Sequence, residues 1–454
     1  MPTAIRRYIR SLGLDAYVVG GAVRDELLGI KHSDEDFLVP GVDQAALRSA
    51  LEPHGRVEDM EVHGQLVGVR FYPRDREIRR LVPAGIELTP PRAERSTGPG
   101  HRDFEIVADR SISIAADMAR RDFTVNAIAK RLETGELVDP FDGVGDLLRR
   151  ELRTVSPATF REDPLRILRG LRLVSQLGFS LPPETVALMH AEARGLRHVS
   201  GERIGGGLAA DGMGELSKLL LGVRPLDALR IARDTDVLIE VVPEFEVAIG
   251  YDLGSSRQPV PLDEHVFAVV QNAADAGASL AVRLTALFHD LGKPEADADD
   301  GDHAQLGARL AGRIMRRLRY PNSLRQEVVR LVAAHAFWLD GPIDGLFARR
   351  FLASHGLDRA REVLLHKRVD LAAKVVEPWE LEHLALLARH VEEERDAPYR
   401  LGDLAVDGRD LLELGYGEGP TLGAELARLL DVVIDDPTAN EPATLLELAR
   451  ETLG

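Results

Sequence analysis

The feature that most constrains the fold of this chain is a glycine pair followed, about a dozen residues later, by two aspartates in alternate positions. An apolar run over residues 17–20 ends in Gly20 and Gly21, and Asp34 and Asp36 enclose a single glutamate. Such a run predicts a short strand, a tight turn and a following helix. On a second strand the two aspartates would project from one face, because side chains alternate along a strand. The sequence therefore predicts paired carboxylates beside a glycine turn.

Paired carboxylates and a glycine turn suit the chemistry of a bound polyphosphate. Two like charges this close repel each other, and a pair of Mg²⁺ ions at Asp34 and Asp36 resolves that repulsion. Such ions activate a primer 3′-hydroxyl and stabilise in-line displacement at an α-phosphate. Glu87 is the candidate third carboxylate, on a neighbouring strand. The glycines let backbone N–H groups approach phosphate, and Arg24 adds a cation.

A second cluster lies in the segment 120–127, which mixes apolar and polar side chains. Phe123 and its apolar neighbours are expected to be buried, whereas Arg121, Asp122 and Asn126 stay polar. An Asp–Asn pair at a buried edge accepts and donates hydrogen bonds, which suits the hydroxyls of a ribose. The structural alternative is an Arg–Asp ion pair beside a helix cap.

Asp163 and Arg166 form the third candidate, at the beginning of a predicted helix that Pro164 opens. Residues three apart lie on one helix face, so this pair presents an acceptor beside a donor. Cytosine and adenine both carry an exocyclic amino donor next to a ring-nitrogen acceptor, whereas uracil and guanine carry a carbonyl there. The pair therefore predicts selection of C and A, because a mismatched base leaves buried polar groups unpaired. The structural alternative is a capping aspartate with an ion pair.

Composition narrows the class of protein further. The chain has 454 residues and no cysteine, which excludes disulfides, thiolate catalysis and cysteine-based zinc sites and favours a cytoplasmic location. We expect no membrane helix and no signal peptide, because the sequence lacks the long apolar runs that both require. The net charge of −17 still allows an RNA partner, because residues 1–200 carry 29 basic against 30 acidic side chains. Basic side chains concentrate at Arg149, Arg150, Arg153, Arg161, Arg166, Arg169 and Arg172.

The pattern along the chain indicates an α+β protein, with a mixed β-sheet and helices at the N-terminal end and an all-helical remainder. Short strands are expected at 17–20, 37–39 and 66–72, and helical periodicity begins near residue 156. We expect four domains: a catalytic head over 1–150, a helical neck and body for base selection and RNA binding over 151–255, a metal-binding domain over 256–395 and a helical tail over 396–454.

Together the three clusters resemble the bacterial class II tRNA nucleotidyltransferase and poly(A) polymerase family. The matching segments are GGAVRDELLG with DED, ARRDFTVNAIA, VDPFDGVGDL, and FREDPLRILRGLRL with LGF. The resemblance implies that the paired aspartates hold Mg²⁺ and that the glycine turn and Arg24 contact the triphosphate. It places the Asp–Asn cluster near the ribose and makes Asp163 and Arg166 the protein template for the base. The implied activity is addition of C, C and A to the 3′ end of tRNA from CTP and ATP.

A second constellation surrounds the end of the helical run 281–288. Its candidate metal ligands are His265, His289, Asp290, His303, His335 and Asp370. Helices can bring imidazole and carboxylate groups together on one divalent metal. The segment HDLGKP resembles the HD phosphohydrolase superfamily, which implies a centre for Ni²⁺, Mn²⁺ or Mg²⁺ that hydrolyses a phosphomonoester or cyclic phosphate. His303 and His335 would bind a second metal or the phosphate.

Other functions stay open beside CCA addition. The same head motifs fit a poly(A) polymerase or an enzyme that adds only A or only CC. In a different class, the domain that contains HDLGKP is a metal-dependent phosphohydrolase acting on nucleotide or cyclic phosphate ends, and the head mainly binds RNA. A non-catalytic RNA-binding protein is disfavoured, because Asp34, Asp36 and Glu87 would repel phosphate without a metal.

One segment departs from the family pattern. After Ile204, where the family continues its helix, this chain inserts the glycine-rich stretch 205–214. Each glycine disfavours a helix by roughly 1 kcal/mol relative to alanine, so the stretch predicts a loop.

Overall fold

The computed structural model describes residues 2–31, 35–62, 64–96, 104–107, 110–206, 213–299 and 301–453. The chain divides into two compact units, Met1–Glu246 with Arg317–Tyr320 and Val247–Arg316 with Pro321–Gly454. The first unit contains the β-sheets, and the described part of the second consists of helices, which confirms the predicted fold class. No helix within the described ranges is long and apolar enough to cross a membrane. The finer division into four domains stays a prediction.

The described part of the head contains nine strands. They are β1 (Tyr17–Val19), β2 (Asp36–Leu38), β3 (Gly55–Val62), β4 (Gln65–Pro73), β5 (Ile86–Thr89), β6 (Ala93–Ser96), β7 (Phe104–Val107), β8 (Ala129–Arg131) and β9 (Leu137–Val138). Strands β6 and β7 form a hairpin, and the others form one mixed sheet in the order β3-β4-β5-β2-β1-β8-β9. The three strands expected from the sequence are confirmed, each boundary within one residue.

The register of the central strands brings the sequence clusters to one edge of the sheet. Strand β1 pairs antiparallel with β2, and Val19 lies opposite Asp36. The residue after Val19 is Gly20, so the glycine turn and the start of β2 share that edge. Strand β5 runs parallel to β2 and places Glu87 beside Asp36. A buried core of Tyr17, Val19, Leu38, Met118, Ala127 and Ala129 supports these strands.

Helices surround the sheet and continue through the rest of the first unit. They are α1 (Pro2–Ser11), α2 (Gly21–Leu27), α3 (Gln44–Leu51), α4 (Arg76–Leu81), α5 (Ile114–Ala119), α6 (Gly143–Arg149), α7 (Thr159–Glu162), α8 (Leu165–Leu177), α9 (Pro183–Glu192), α10 (Glu215–Leu220), α11 (Pro225–Asp234) and α12 (Val237–Val241). Helix α8 buries the leucines that recur at helical spacing, Leu165, Leu168 and Leu171. It ends at Gly178, whose left-handed backbone, with φ of +66°, suits a residue without Cβ.

The second unit is an assembly of helices. They are α13 (Leu262–Asp275), α14 (Leu280–Phe288), α15 (Lys293–Asp299), α16 (His303–Arg317), α17 (Asn322–Ala334), α18 (Gly345–His355), α19 (Leu357–Leu371), α20 (Pro378–Glu393), α21 (Gly408–Glu413), α22 (Pro420–Asp435) and α23 (Pro442–Leu453). Helix α14 is buried along its length because Ala281 to Phe288 are apolar almost throughout. Helices α21 to α23 share a smaller core around Leu411, Leu429 and Leu445.

The loop expected at 205–214 is wrong for its first two residues. Residues Glu202–Gly206 form a π-helical turn that includes Gly205 and Gly206. The Gly206 N–H donates to the Leu318 carbonyl at 3.1 Å, and a Cβ on Gly206 would lie 2.0 Å from the Arg319 carbonyl oxygen. Close backbone contact within the first unit therefore offsets the low helix propensity of these glycines. Residues 207–212 lie outside the described part of the chain, and α10 follows at Glu215.

Candidate active site

The glycine turn after β1 leaves space for an arginine side chain. Gly20 has φ of +73°, a left-handed conformation that glycine adopts without strain. A Cβ at this position would lie 2.6 Å from Arg121 Nη1. The absence of a side chain thus lets the Arg121 guanidinium lie against the turn. Burial lowers the pKa of Arg121, and the carboxylate of Asp117 opposes that effect.

A cavity of about 500 Å³ opens beside this turn. It is lined by Gly20, Gly21, Arg24, Asp36, Arg92, Arg120, Arg121, Asp122, Asn126, Asp163, Arg166, Arg169, Arg172 and Arg203. All three sequence clusters therefore meet in one cavity, which we call the head pocket. Eight arginines against three aspartates give it a positive lining. A concave basic surface concentrates anions even on a protein with negative net charge.

Asp122 is the most strongly bonded carboxylate of the head pocket. It accepts hydrogen bonds from Asn126 Nδ2 at 2.9 Å and from Arg169 Nε at 2.8 Å. Burial alone would raise the pKa of Asp122, but Arg169 and Asn126 hold that pKa well below its ordinary value. Asn126 Oδ1 in turn accepts from Arg24 Nη1 at 2.7 Å. The cluster is thus a fixed, ionised network, with Asp122 paired to Arg169 rather than to its chain neighbour Arg121.

Asp163 and Arg166 lie in the same pocket without bonding to each other's side chains. Asp163 Oδ1 accepts from the Leu165 N–H at 3.1 Å, and its Oδ2 lies 3.4 Å from Arg203 Nη2. Arg166 Nη2 donates to the Arg120 carbonyl at 2.7 Å. Asp163 therefore bonds the first N–H of α8, but the ion pair of the structural alternative does not form, because Arg166 pairs with Glu162 instead. Both side chains line the cavity. Each is held from its own side, which leaves an acceptor and a donor side by side.

The predicted carboxylate set of the head is described in part. Asp36 lines the pocket, whereas Asp34 lies outside the described residues. Glu87 is the strand neighbour of Asp36 but bonds Arg70 at 2.5 Å and does not line the cavity. Registered neighbours on parallel strands project from the same face of a sheet. Asp36 and Glu87 therefore offer two hard oxygen donors on one face, which suits Mg²⁺.

Several arginines line the pocket that were not predicted from the sequence as site residues. Arg169 and Arg172 belong to the basic run and lie about one and two turns beyond Arg166 on α8, a spacing that gave a usable signal. Arg203 comes from the π-helical turn, and only the fold brings it to Asp163. By contrast, Arg149 and Arg153 of the basic run pair with Asp146 and do not line the pocket.

The second unit gathers the predicted histidines and aspartates at the end of α14. His265, His289, Asp290 and Asp370 are buried, with ligand atoms within 4.8 Å of one another. Asp290 also groups with His303 and His335. Because His289 and Asp290 follow the last residue of α14, both side chains can face one centre. All six predicted ligands thus meet, and we call this group the HD centre.

The donor atoms of the HD centre fit a divalent metal. His265 Nδ1 is buried without a hydrogen-bond partner among the described residues. His265 Nε2 lies 3.1 Å from Asp370 Oδ1, and His289 Nε2 lies 3.1 Å from Asp290 Oδ2, but neither contact has hydrogen-bond geometry. Buried polar atoms normally find a partner, so their convergence points to a cation between them. Burial lowers the pKa of His289, but the carboxylates of Asp290 and Asp370 outweigh it and raise that pKa to about 9. The two carboxylates therefore favour a positive charge at the position of His289.

One buried histidine of this region was not singled out from the sequence. His366 packs its ring 4.9 Å from that of His289, and neither of its nitrogens has a hydrogen-bond partner within the described residues. Burial holds the pKa of His366 well below its ordinary value, so the ring is neutral. The signal was present, since His366 and Asp370 lie four residues apart on α19.

A second cavity, of about 320 Å³, reaches the HD centre from the surface. The residues that form its inner end are Asp290, His303, His335 and Asp370. Its cationic side chains are Arg257, Lys293, Lys367 and Lys374. Lys293 lies 2.6 Å from Asp290 Oδ2, and Lys374 lies 2.7 Å from Asp370 Oδ2. We call this cavity the HD cavity.

Comparison with known proteins finds family matches for the regions of the chain that contain the two sites. Residues 16–153 match the family model of the poly A polymerase head domain, 178–249 that of the probable RNA and SrmB-binding site of polymerase A, and 262–433 that of the HD domain. The multifunctional CCA protein of Xanthomonas campestris pv. campestris strain B100 is 33% identical over 436 residues, covering 90% of this chain and 96% of the relative. The chain belongs to the multifunctional CCA protein family. The resemblance drawn from the motifs is therefore confirmed.

A further relative and two solved structures extend this comparison. The multifunctional CCA protein of Azoarcus sp. strain BH72 is 35% identical over 328 residues, covering 70% of this chain and 73% of the relative. The crystal structure of the Bacillus stearothermophilus CCA-adding enzyme in complex with CTP is 25% identical, with a TM-score of 0.69 over 99% of this chain and 97% of that one. A Thermotoga maritima CCA-adding enzyme complexed with tRNA shares the fold, with a TM-score of 0.56, 19% identity and coverage of 98% and 93%.

Proposed function

We propose that this protein adds C, C and A to the 3′ end of tRNA, using CTP and ATP. The observation that carries this proposal is the head pocket, where the glycine turn, Asp36 and the Asp163–Arg166 pair line one cavity. Template-independent nucleotidyl transfer requires a binding site for the polyphosphate, a catalytic carboxylate and side chains that select the base. The relatives named as CCA proteins and CCA-adding enzymes support it.

Different side chains of the head pocket would bind different parts of the nucleotide. Arg24, Arg121 and their cationic neighbours would bind the triphosphate beside the glycine turn, which leaves room for the Arg121 guanidinium. The Asp122–Asn126 network would hold the ribose hydroxyls. Asp163 would accept from the exocyclic amino group of C or A, and Arg166 would donate to the ring nitrogen.

Asp36, together with Asp34 and Glu87, would hold Mg²⁺ in the head. When bound, Mg²⁺ supplies Lewis-acid stabilisation of the charge that develops on the phosphate and on the attacking 3′-hydroxyl. Glu87 would exchange its contact with Arg70 for this role, and both side chains are accessible enough to move. The tRNA substrate and the cysteine-free sequence support a cytoplasmic location.

Primer extension tests this proposal directly. We expect tRNA lacking CCA to receive two C residues from CTP and then one A from ATP, after which extension stops. Matched substrates that lack CA or only the final A separate the steps, with each NTP supplied alone. Unlimited addition of A to any RNA would identify a poly(A) polymerase, and addition of only C or only A would identify a partial enzyme. Absence of incorporation, with Asp34→Ala indistinguishable from wild type, would overturn all of these.

The HD centre supports a second function, hydrolysis of a phosphate ester at a nucleotide end. The buried, unpartnered donor atoms of His265, His289 and Asp370 carry this proposal. The imidazole donors favour Ni²⁺ over Mg²⁺, whereas the two carboxylates also suit Mn²⁺ or Mg²⁺. When bound, such a metal activates water for attack on phosphorus. Lys367, at the cavity wall, would bind a phosphate oxygen.

Hydrolysis of a 2′,3′-cyclic nucleotide in the presence of Ni²⁺, Mn²⁺ or Mg²⁺ tests the second function. We expect activity in the wild type and in Asp36→Ala, because that substitution lies in the head pocket. His289→Ala should abolish hydrolysis while primer extension continues. Hydrolysis that persists in His289→Ala would place the activity elsewhere.

A further inference from the structure

A tryptophan stands exposed at the entrance of the HD cavity. Trp338 follows α17 and exposes 82% of its surface, although it lines the same cavity as Asp290 and Asp370. Single exposed apolar residues are ordinary on protein surfaces. An indole on the rim of a cavity with buried metal-ligand side chains differs, because one ligand can contact both.

The segment around Trp338 is anchored on both sides. Lys367 Nζ donates to the Phe337 carbonyl at 3.0 Å and lies 5.0 Å from the centroid of the Phe337 ring. On the other side, Leu339 is buried, and its carbonyl bonds His383 Nδ1 at 2.6 Å. The neighbours are held while the indole itself projects outward. The backbone that carries Trp338 is therefore held on both sides, which limits the backbone entropy lost when a ring stacks on the indole.

The charge of the cavity indicates what lies beyond the indole. Lys293 and Lys374 are paired with Asp290 and Asp370, and Arg257 is paired with Glu380. Lys367 bonds a backbone carbonyl, and no carboxylate of the described residues lies within salt-bridge distance of it. Its positive charge is available to an anionic ligand near the HD centre. The cavity thus combines a lysine near the HD centre with an exposed indole at its rim.

We propose that Trp338 stacks the base of a nucleotide whose phosphate lies at the HD centre. This proposal rests on the phosphate-ester function proposed for that centre and adds a residue that selects for nucleotides. A volume of about 320 Å³ lies at the lower end of the range for small-molecule pockets. Every base presents a π-face, so stacking recognises the presence of a base without reading its identity. The HD centre would accept A- and C-ended substrates alike and discriminate against phosphates that lack a base.

Binding measurements on the full-length protein test this inference apart from catalysis. We use 3′-AMP, 3′-CMP and ribose 5-phosphate as probes, in Mg²⁺, with isothermal titration calorimetry. Stacking on an aromatic side chain corresponds to roughly a 5- to 150-fold effect on the Kd of each base. We expect Trp338→Ala to weaken both nucleotides by a factor in that range and to leave ribose 5-phosphate within about two-fold. Trp338→Phe should recover part of the affinity.

The chain offers a matched control in its other tryptophan. Trp379 is 39% exposed, contacts His383 and does not line the HD cavity. Trp379→Phe leaves Trp338 as the single tryptophan, since the chain has two. We expect 3′-AMP to quench the fluorescence of Trp379→Phe and to leave that of Trp338→Phe unchanged. Both tryptophans belong to the second unit, whereas the head pocket belongs to the first.

The outcomes separate this inference from the function on which it rests. Equal weakening of ribose 5-phosphate and 3′-AMP by Trp338→Ala would overturn stacking, and so would unchanged affinity for both. In either case, phosphate binding that still requires His289 would leave the proposed hydrolytic function standing. A wild-type HD cavity that binds none of the three probes would overturn both. Quenching that appears only with an added protein partner would reassign Trp338 to a docking surface and contradict the proposal.

Discussion

The head pocket and the HD centre both gather charged side chains, but they satisfy them in opposite ways. In the head pocket the carboxylates are bonded to protein donors, as Asp122 is to Arg169 and Asn126. The pocket retains a surplus of arginines. In the HD centre, nitrogens and oxygens of His265 and Asp370 face each other without hydrogen-bond partners in the described chain. Hydrogen bonds within the protein organise the Asp122 network of the head pocket, whereas the HD centre brings together donor atoms that a cation would bind.

This difference teaches how much each site depends on its ligand. A bonded network such as that of Asp122 and Asn126 is organised before substrate arrives, so substitution there should affect binding and catalysis more than folding. Unpartnered buried donors such as those of His265 carry a desolvation cost that metal binding removes. We therefore expect a metal bound at the HD centre to stabilise the folded protein. Substitutions in the head pocket should instead change the rate of nucleotide incorporation.

The largest expected effect comes from Asp36→Asn. This change removes a charge from the head pocket while keeping the shape of the side chain. We expect the rate of CMP and AMP incorporation to fall roughly 100-fold or more, because electrostatic stabilisation of the transition state is lost. Single-turnover primer extension measures it.

The matched control for Asp36→Asn is Asp59→Asn, on β3 of the same sheet. Asp59 is 42% exposed at its side chain and does not line the head pocket. We expect it to retain wild-type incorporation. A similar loss in both variants would show that the sheet, rather than the carboxylate at Asp36, governs the rate.

The HD centre should give the next largest effect, through stability. Ni²⁺ at 100 times its Kd stabilises a folded protein by about 2.7 kcal/mol, which raises the thermal transition by several degrees. We expect His289→Ala to abolish this shift, measured against the metal-free form of the same variant. His190→Ala is the control, because His190 is exposed and outside the centre. A shift that survives in His289→Ala would mean that Ni²⁺ binds elsewhere.

The spacing of apolar and turn residues predicted the short strands of the head and the buried face of α8. The strand before Gly20, the strand after Asp36 and the leucine stripe of α8 were confirmed, since each follows from apolar spacing and turn residues. The six predicted ligands of the HD centre were brought together as expected. Family motifs supplied the rest of that prediction, because the spacing of His265 and Asp370 alone carries no geometry.

What local pattern could not predict is long-range contact. Arg203 reaches Asp163 from a π-helical turn that glycine propensity argued against, and backbone contact with Leu318 is what holds that turn. The partner of Asp122 was likewise hidden, because Arg169 lies 47 residues further along the chain. Propensity describes one segment, whereas these contacts depend on how segments pack.

Arg203→Ala should have a moderate effect on base choice. Arg203 lies 3.4 Å from Asp163 and is one-third exposed, so it orients that side chain through a weak, partly screened ion pair. Pairs of this kind contribute about 0–1 kcal/mol, and we expect the preference for CTP over UTP to fall by about two- to five-fold. Measuring kcat/KM for both nucleotides tests this, with exposed Arg161→Ala as control. An unchanged preference would show that Asp163 is held by its bond to the Leu165 N–H alone.

The smallest effect is expected at His366. Its size shows whether this buried imidazole makes hydrogen bonds in the metal-free protein. A buried imidazole without hydrogen bonds loses little when an apolar side chain of similar volume replaces it. We expect His366→Leu in metal-free protein to change the free energy of unfolding by less than about 1 kcal/mol, measured by urea denaturation. His366→Ala should cost about 2 kcal/mol or more, because it leaves a cavity. If His366→Leu were as damaging as His366→Ala, the imidazole would make a bond in the folded protein, and the HD centre would resemble the head pocket in being satisfied without its ligand.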